Sequence, residues 1–175
     1  LLYWDSLLGD DDAGQRVRAR FDCVLVDEYQ DTNSLQASIL ANLSRDGKGV
    51  TVVGDDAQSI YGFRAATVRN ILDYPKQFPD TTVIRLDQNY RSTQPILAAT
   101  NAVIGLAKER YKKDLWSERD QGEKPALVTC ESEEDQTEYL IRTILEHRES
   151  GIDLRRQAVL FRASHHSIML EAELA

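Results

Sequence analysis

Short runs of Val, Leu and Ile alternate along the chain with segments of helical period, and this alternation leaves few folds open. The runs are residues 21–26 (FDCVLV), 50–53 (VTVV), 82–86 (TVIRL), 126–130 (ALVTC) and 157–161 (QAVLF). Strands that are apolar along their whole length are buried on both faces, and parallel strands are joined by crossover helices. An α/β architecture with a parallel sheet is therefore predicted. The first helix carries Leu35, Ile39 and Leu43 on one face, with Thr32 or Asn33 as its N-cap. A second begins near Thr93, with Pro95 in its first turn and Ile96, Thr100, Val103 and Ala107 on one face. A third opens at Ser132, spaced from Asp135 as in a capping box, and runs through Leu140, Ile141, Ile144 and Leu145. Residues 1–8 (LLYWDSLL) read as helix and residues 9–14 as an acidic turn. The polar stretch 108–124 reads as a solvated loop or linker.

Charge qualifies the classes of partner. The 175 residues carry 21 Lys and Arg against 29 Asp and Glu, a net charge of −8. That balance argues against a surface coated in positive charge for gripping phosphates, but it leaves a local basic groove open. Residues 1–31 hold eight acids and three bases, whereas residues 85–113 hold six bases and two acids. No apolar run approaches the roughly 20 residues of a membrane span. Cys23 and Cys130 have no metal-ligand spacing, and their apolar flanks predict buried thiols in a reducing compartment, hence a cytoplasmic location. Leu1 in place of Met, and a helical pattern still running at Ala175, lead to the expectation of a piece of a longer protein.

The run FDCVLV ends in Asp27 and Glu28. Two carboxylates at the carboxyl end of a buried strand are how phosphate-hydrolysing P-loop enzymes hold Mg²⁺ and orient a water. Acids also suit turns and helix N-termini, so the pair alone leaves both readings open. Tyr61 and Phe63, two apart, would project from one side of an extended segment, and without further context they read as core packing. Arg64 suits a phosphate or base contact, or a structural ion pair. His165 and His166 lack partners at metal-ligand spacing, and Trp4 and Trp116 read as packing residues. Residues 131–135 read as an acidic helix N-terminus.

Three stretches in order, LVDEYQDTN (25–33), VVGDDAQSIYGFRAA (52–66) and LDQNYRST (86–93), resemble signature motifs of superfamily 1 DNA helicases of the UvrD/Rep/PcrA type. AVLFRASHHSIMLEAEL (158–174) is a weaker match. The resemblance implies RecA-like (P-loop NTPase) motor domains, both incomplete in this chain. Residues 1–84 would be the later part of the first, with a remnant of an inserted helical subdomain, and residues 85–175 the opening part of the second. It implies Asp27 as the Mg²⁺ ligand, Glu28 as the group that polarises the attacking water and Gln58 as the γ-phosphate sensor. Tyr90 would stack on adenine and Arg91 would reach the γ-phosphate; Tyr61, Phe63 and Arg64 would face single-stranded DNA.

ATP and Mg²⁺ are the implied cofactors, and single-stranded and duplex DNA the implied partners, with 3′-to-5′ polarity. Two departures stand out: Phe63 occupies a position where the family usually has Trp, and Ala57 one where it often has an acid. The phosphate-cradling pattern G-x-x-x-x-G-K-[ST] does not occur, so the chain alone is expected to be inactive. A helicase–nuclease motor and a non-catalytic DNA-binding or assembly module remain alternatives. Unpaired sheet edges predict self-association.

Overall fold

The computed structural model describes residues 1–174, and Ala175, where the helical pattern continues, lies outside them. The backbone forms two compact units, divided between Lys124 and Pro125.

The first unit opens with two helices, α1 (Leu2–Gly9) and α2 (Asp11–Arg18). The predicted acidic turn is in fact the start of α2. Asp10 caps it by accepting from the Asp12 and Ala13 N–H groups at 3.1 and 2.8 Å, and Asp11 and Asp12 sit at the positive end of the helix dipole. Leu8 of α1 is fully buried, and Arg18 donates to the Leu8 and Asn42 carbonyls, each at 3.0 Å. Gly14 permits this closeness: a Cβ there would stand 2.4 Å from the Leu8 carbonyl oxygen.

Strands β1 (Val24–Val26) and β2 (Val50–Val52) pair in parallel with register Val24↔Val50, Leu25↔Thr51 and Val26↔Val52. The crossover is α3 (Ser34–Leu43), whose N-cap is Asn33 rather than Thr32. Asn33 accepts from the Gln36 N–H, and Gln36 reciprocates on the Asn33 N–H, both at 2.9 Å. Ile39 and Leu40 are its buried positions. Two short helices follow, α4 (Arg69–Leu72) and α5 (Tyr74–Gln77). Tyr29, Leu40, Ile71 and Tyr74 make the core, with Val24, Val26, Val50 and Val52 packed against it. Tyr29 and Tyr74 meet edge to face, ring centroids 5.6 Å apart, a favoured aromatic arrangement.

Helix α6 (Gln94–Ile104) has Pro95 in its first turn as predicted, but the predicted face is displaced by one residue. Leu97 is buried while Ile96 and Val103 are exposed. The cause is polar: the Asn101 amide bonds both the carbonyl and the N–H of Leu115, at 2.9 and 3.1 Å, and so fixes which face turns inward. The stretch 108–124 is accordingly not a free linker. Trp116 bridges Gln88, the Tyr111 hydroxyl donates to the Ile71 carbonyl at 3.1 Å, and Arg69 pairs with Asp73 and Glu109.

In the second unit, α7 (Glu133–Glu149) starts at Ser132, whose Oγ accepts from the Asp135 N–H at 3.1 Å. It packs against α8 (Ile168–Leu174), burying Thr137 and Leu170.

Residues 82–86, 126–130 and 157–161 form no strand, contrary to the sequence reading. A strand exists only where a neighbour accepts and donates its backbone bonds. Among the described residues only β1 and β2 find that neighbour; Ile84, Leu127 and Leu160 stay exposed. The same cause undoes the expectation for the thiols, since Cys23 precedes β1 and Cys130 lies in an unladdered run: both are exposed. Trp4 and Trp116 are half-exposed rather than packed. No helix among the described residues is long and apolar enough to cross a membrane.

Candidate functional site

The parallel register delivers the ends of β1 and β2 to one edge. Past the ladder, the Val53 N–H donates to the Val26 carbonyl at 2.8 Å and the Tyr29 N–H to the Val53 carbonyl at 3.0 Å. Asp27 and Glu28 lie between those bonds and are both exposed. Asp27 Oδ1 accepts the Glu28 N–H at 2.9 Å. Glu28 adopts a left-handed backbone, φ +50°, uncommon for a residue with a Cβ, and turns the chain into a 3₁₀ turn over Tyr29–Asp31. Burial, with Tyr74 alongside, pushes the Tyr29 phenol up to about 12, so it remains a neutral core residue.

Gln30, buried, links the two strand ends. Its Nε2 donates to Glu28 Oε2 at 2.6 Å and its Oε1 accepts the Asp55 N–H at 3.0 Å. At the end of β2, Asp55 caps the 3₁₀ turn Asp56–Gln58, accepting from the Ala57 N–H at 3.0 Å and from Gln58 Nε2 at 2.8 Å. Lys113 pairs with Asp55 and, at 3.4 Å, with Asp56; its side chain is only 15% exposed. Burial alone would raise the Asp55 carboxyl, but the bonds from Gln58, Lys113 and Ala57 outweigh it and hold the group below the usual carboxylate range. A cavity of about 470 Å³ opens beside β2, with Asp55, Asp56 and Lys113 among its lining and residues 82–87 as its other wall.

Tyr61 and Phe63 lie side by side, ring centroids 5.8 Å apart, and Phe63 is 79% exposed. Arg64 covers both rings, its guanidinium 5.3 and 5.6 Å from their centroids. These are cation–π distances, and Arg64 makes no ion pair among the described residues. Tyr90 is exposed and donates to Gln88 Oε1 at 2.8 Å. The Arg91 backbone is held by Asn89 and Arg119, leaving its exposed guanidinium without a protein partner among the described residues. No hydrogen bond joins Tyr90 or Arg91 to Asp27, Glu28 or Gln58 among the described residues. His165 and His166 contact each other, ring centroids 4.1 Å apart.

Among the described residues no three His, Cys, Asp or Glu side chains form a metal-binding group. Asp27 nevertheless fits Mg²⁺, which is held by one or two carboxylates together with phosphate oxygens and waters. On the adjoining turn Asp31 Oδ1 is buried without a partner while its Oδ2 accepts from Gln30 at 3.4 Å, and an orphaned carboxylate oxygen of this kind suits a nearby cation. Local sequence does not mark Gln30 or Lys113 as part of this edge. Gln30 lies inside the LVDEYQDTN motif, but its burial depends on a contact 25 residues away; Lys113 sits in a stretch whose composition reads as solvent-facing.

Residues 1–79 match the UvrD/REP helicase N-terminal domain and residues 84–175 the UvrD-like helicase C-terminal domain. The chain thus belongs to the UvrD-like helicase family, and its small parallel sheet is a partial form of the RecA-like α/β fold. It is 42% identical over 152 residues to the ATP-dependent DNA helicase PcrA of Staphylococcus aureus and 41% identical to that of Staphylococcus epidermidis. Each alignment covers 87% of this chain and 21% of the relative, so the chain spans about a fifth of the length of the curated relatives it matches.

The Lys113 pair has a testable pH signature. Lys113→Met leaves two acids without their cation and should destabilise the chain at neutral pH by about 2 kcal/mol, less than a fully buried pair. Asp55 is depressed in the folded state. Its contribution is therefore complete above its unfolded pKa of about 3.9 and is lost as pH falls through the lower folded value. Urea unfolding of both proteins should show their difference narrowing below about pH 4; a difference independent of pH contradicts the ion pair.

Proposed function

We propose that this chain contributes the water-activating, sensing and strand-gripping parts of an ATP-dependent DNA helicase motor with 3′-to-5′ polarity. The supporting observation is the meeting of Asp27 and Glu28 with the Gln58 turn at one edge of the β1–β2 pair. In this reading Asp27 holds Mg²⁺, which when bound neutralises charge on the transferring phosphate. Glu28, an exposed carboxylate, accepts the proton of the attacking water. Gln58 has an amide able to donate to phosphate and accept from water, and it exchanges its bond to Asp55 for that contact. Tyr90 offers a free π-face to the adenine. Arg91 supplies a planar, permanently charged fork to the γ-phosphate.

Tyr61 and Phe63 stack on bases of single-stranded DNA, an interaction worth about 1–3 kcal/mol per base and indifferent to sequence. Phe63 offers less π surface than the Trp usual in the family. Arg64, already seated on both rings, adds charge toward the backbone. Residues 1–84 belong to the first motor domain and residues 85–175 to the second, with residues 85–124 folded into the same compact unit as the first. With no G-x-x-x-x-G-K-[ST] sequence among its residues, the chain by itself does not turn over ATP.

In the full native polypeptide carrying these residues, Glu28→Gln should lower DNA-stimulated ATP hydrolysis by about 10²-fold or more while DNA binding persists. Undiminished turnover contradicts the role given to Glu28. The chain alone, with a two-stranded sheet, presents strand edges free to pair with a second copy. Light scattering should show its mass rising with concentration, and a constant monomer mass contradicts self-association.

A further inference from the structure

Gln30 is 1% exposed, yet it belongs to neither the packing core nor the set of groups that meet nucleotide. A buried amide is unfavourable unless its donors and acceptor are used. Here both ends are used, on different strand ends. Nε2 donates to Glu28 Oε2 at 2.6 Å, with Asp31 Oδ2 farther off at 3.4 Å. Oε1 accepts the Asp55 N–H at 3.0 Å, and the Gln30 carbonyl accepts from Ser59 Oγ at 3.3 Å. The residue before Asp55 leaves room for this amide and for the core beside it: a Cβ on Gly54 would lie 2.5 Å from Gln30 Oε1, 2.8 Å from Ile71 Cδ1 and 3.2 Å from the Tyr29 nitrogen.

We propose that Gln30 is a positioning residue for hydrolysis, clamping one carboxylate oxygen of Glu28 and tying it to the turn that carries Gln58. The inference rests on Glu28 being the water-activating group. An exposed glutamate has three side-chain torsions and, unclamped, samples orientations outside the roughly 2.6–3.2 Å reach that proton transfer needs. A bond to an ionised acceptor is stronger than one between neutral groups, and it leaves Oε1 of Glu28 free for the water proton. The donor is also neutral. An amide orients the carboxylate oxygen without adding a charge to the site. Because the other end of the same amide holds the Asp55 N–H, displacement of the Asp55–Gln58 turn is felt at Glu28 through a single side chain.

The test uses steady-state ATP hydrolysis by the full native polypeptide at saturating single-stranded DNA. Gln30→Met keeps the volume and removes both bonds. Gly54→Ala keeps Gln30 but drives a methyl toward both its Oε1 and Ile71 Cδ1, and Gln30→Leu, which removes both bonds without adding volume, covers the case in which either of the others fails to fold. Each variant should lose about 10- to 100-fold in kcat, with the KM for ATP and the DNA affinity changed by less than about threefold. Added to Glu28→Gln, Gln30→Met should cause no further loss, because the group it positions is already gone. Unchanged kcat in Gln30→Met, with Glu28→Gln inactive, overturns the positioning role alone. So does an additive loss in the double variant, or a parallel loss of DNA affinity, either of which marks a merely structural residue. Full turnover by Glu28→Gln overturns the reading of Glu28 on which the inference stands.

Discussion

The parallel ladder between β1 and β2 is the interaction on which the rest of the first unit depends. It is only three residues long on each side, yet it sets Val26 against Val52 and so brings both carboxyl ends to one edge. A shift of one residue would turn every side chain to the opposite face. It would also separate Glu28 from Asp55, whose link through Gln30 needs both strands to end level. The α3 crossover, held at its start by the Asn33–Gln36 box, provides the return path that parallel pairing requires.

Charge at that edge is handled by neighbours of two kinds. Around Asp55 and Asp56 a nearly buried lysine compensates two acids, and Lys113 belongs to the part of the chain that matches the C-terminal family domain. Among the described residues the Glu28 carboxylate has one hydrogen-bond partner, the neutral amide of Gln30. A cation beside the Asp55–Gln58 turn and a neutral amide beside the Glu28 carboxylate do different things, the first holding two acids to one turn and the second orienting one carboxylate oxygen without adding charge. The net charge of −8 says nothing of this arrangement, which arises from local pairing.

How much of this was legible in the sequence depended on the range of the interactions involved. FDCVLV and VTVV read correctly as strands because each finds the other, and the Asn33 cap and the Ser132 cap are contacts within four residues. TVIRL, ALVTC and QAVLF have the same composition, but strand formation is settled by a partner that local pattern does not reveal. The buried α6 face lies one position from where apolar spacing puts it, because Asn101, a polar residue, anchors that helix to Leu115. Asp27 and Glu28 stand out at the end of an apolar run, whereas Gln58, Tyr61, Phe63, Arg64, Tyr90 and Arg91 take their expected roles from the resemblance to UvrD-type motifs. The buried contacts of Gln30 and Lys113 span 25 and 58 residues, and nothing in their flanking sequence marks them.

Amide hydrogen exchange at Asp55 measures the joining of the two strand ends most directly, and it needs neither nucleotide nor DNA. The Asp55 N–H faces a buried side-chain acceptor on the neighbouring strand end, just beyond the laddered Val53 N–H. The account predicts that the two amides exchange on the same slow timescale, as members of one cooperative unit. Exchange of Asp55 at the rate of an open loop, with Val53 still protected, would contradict it.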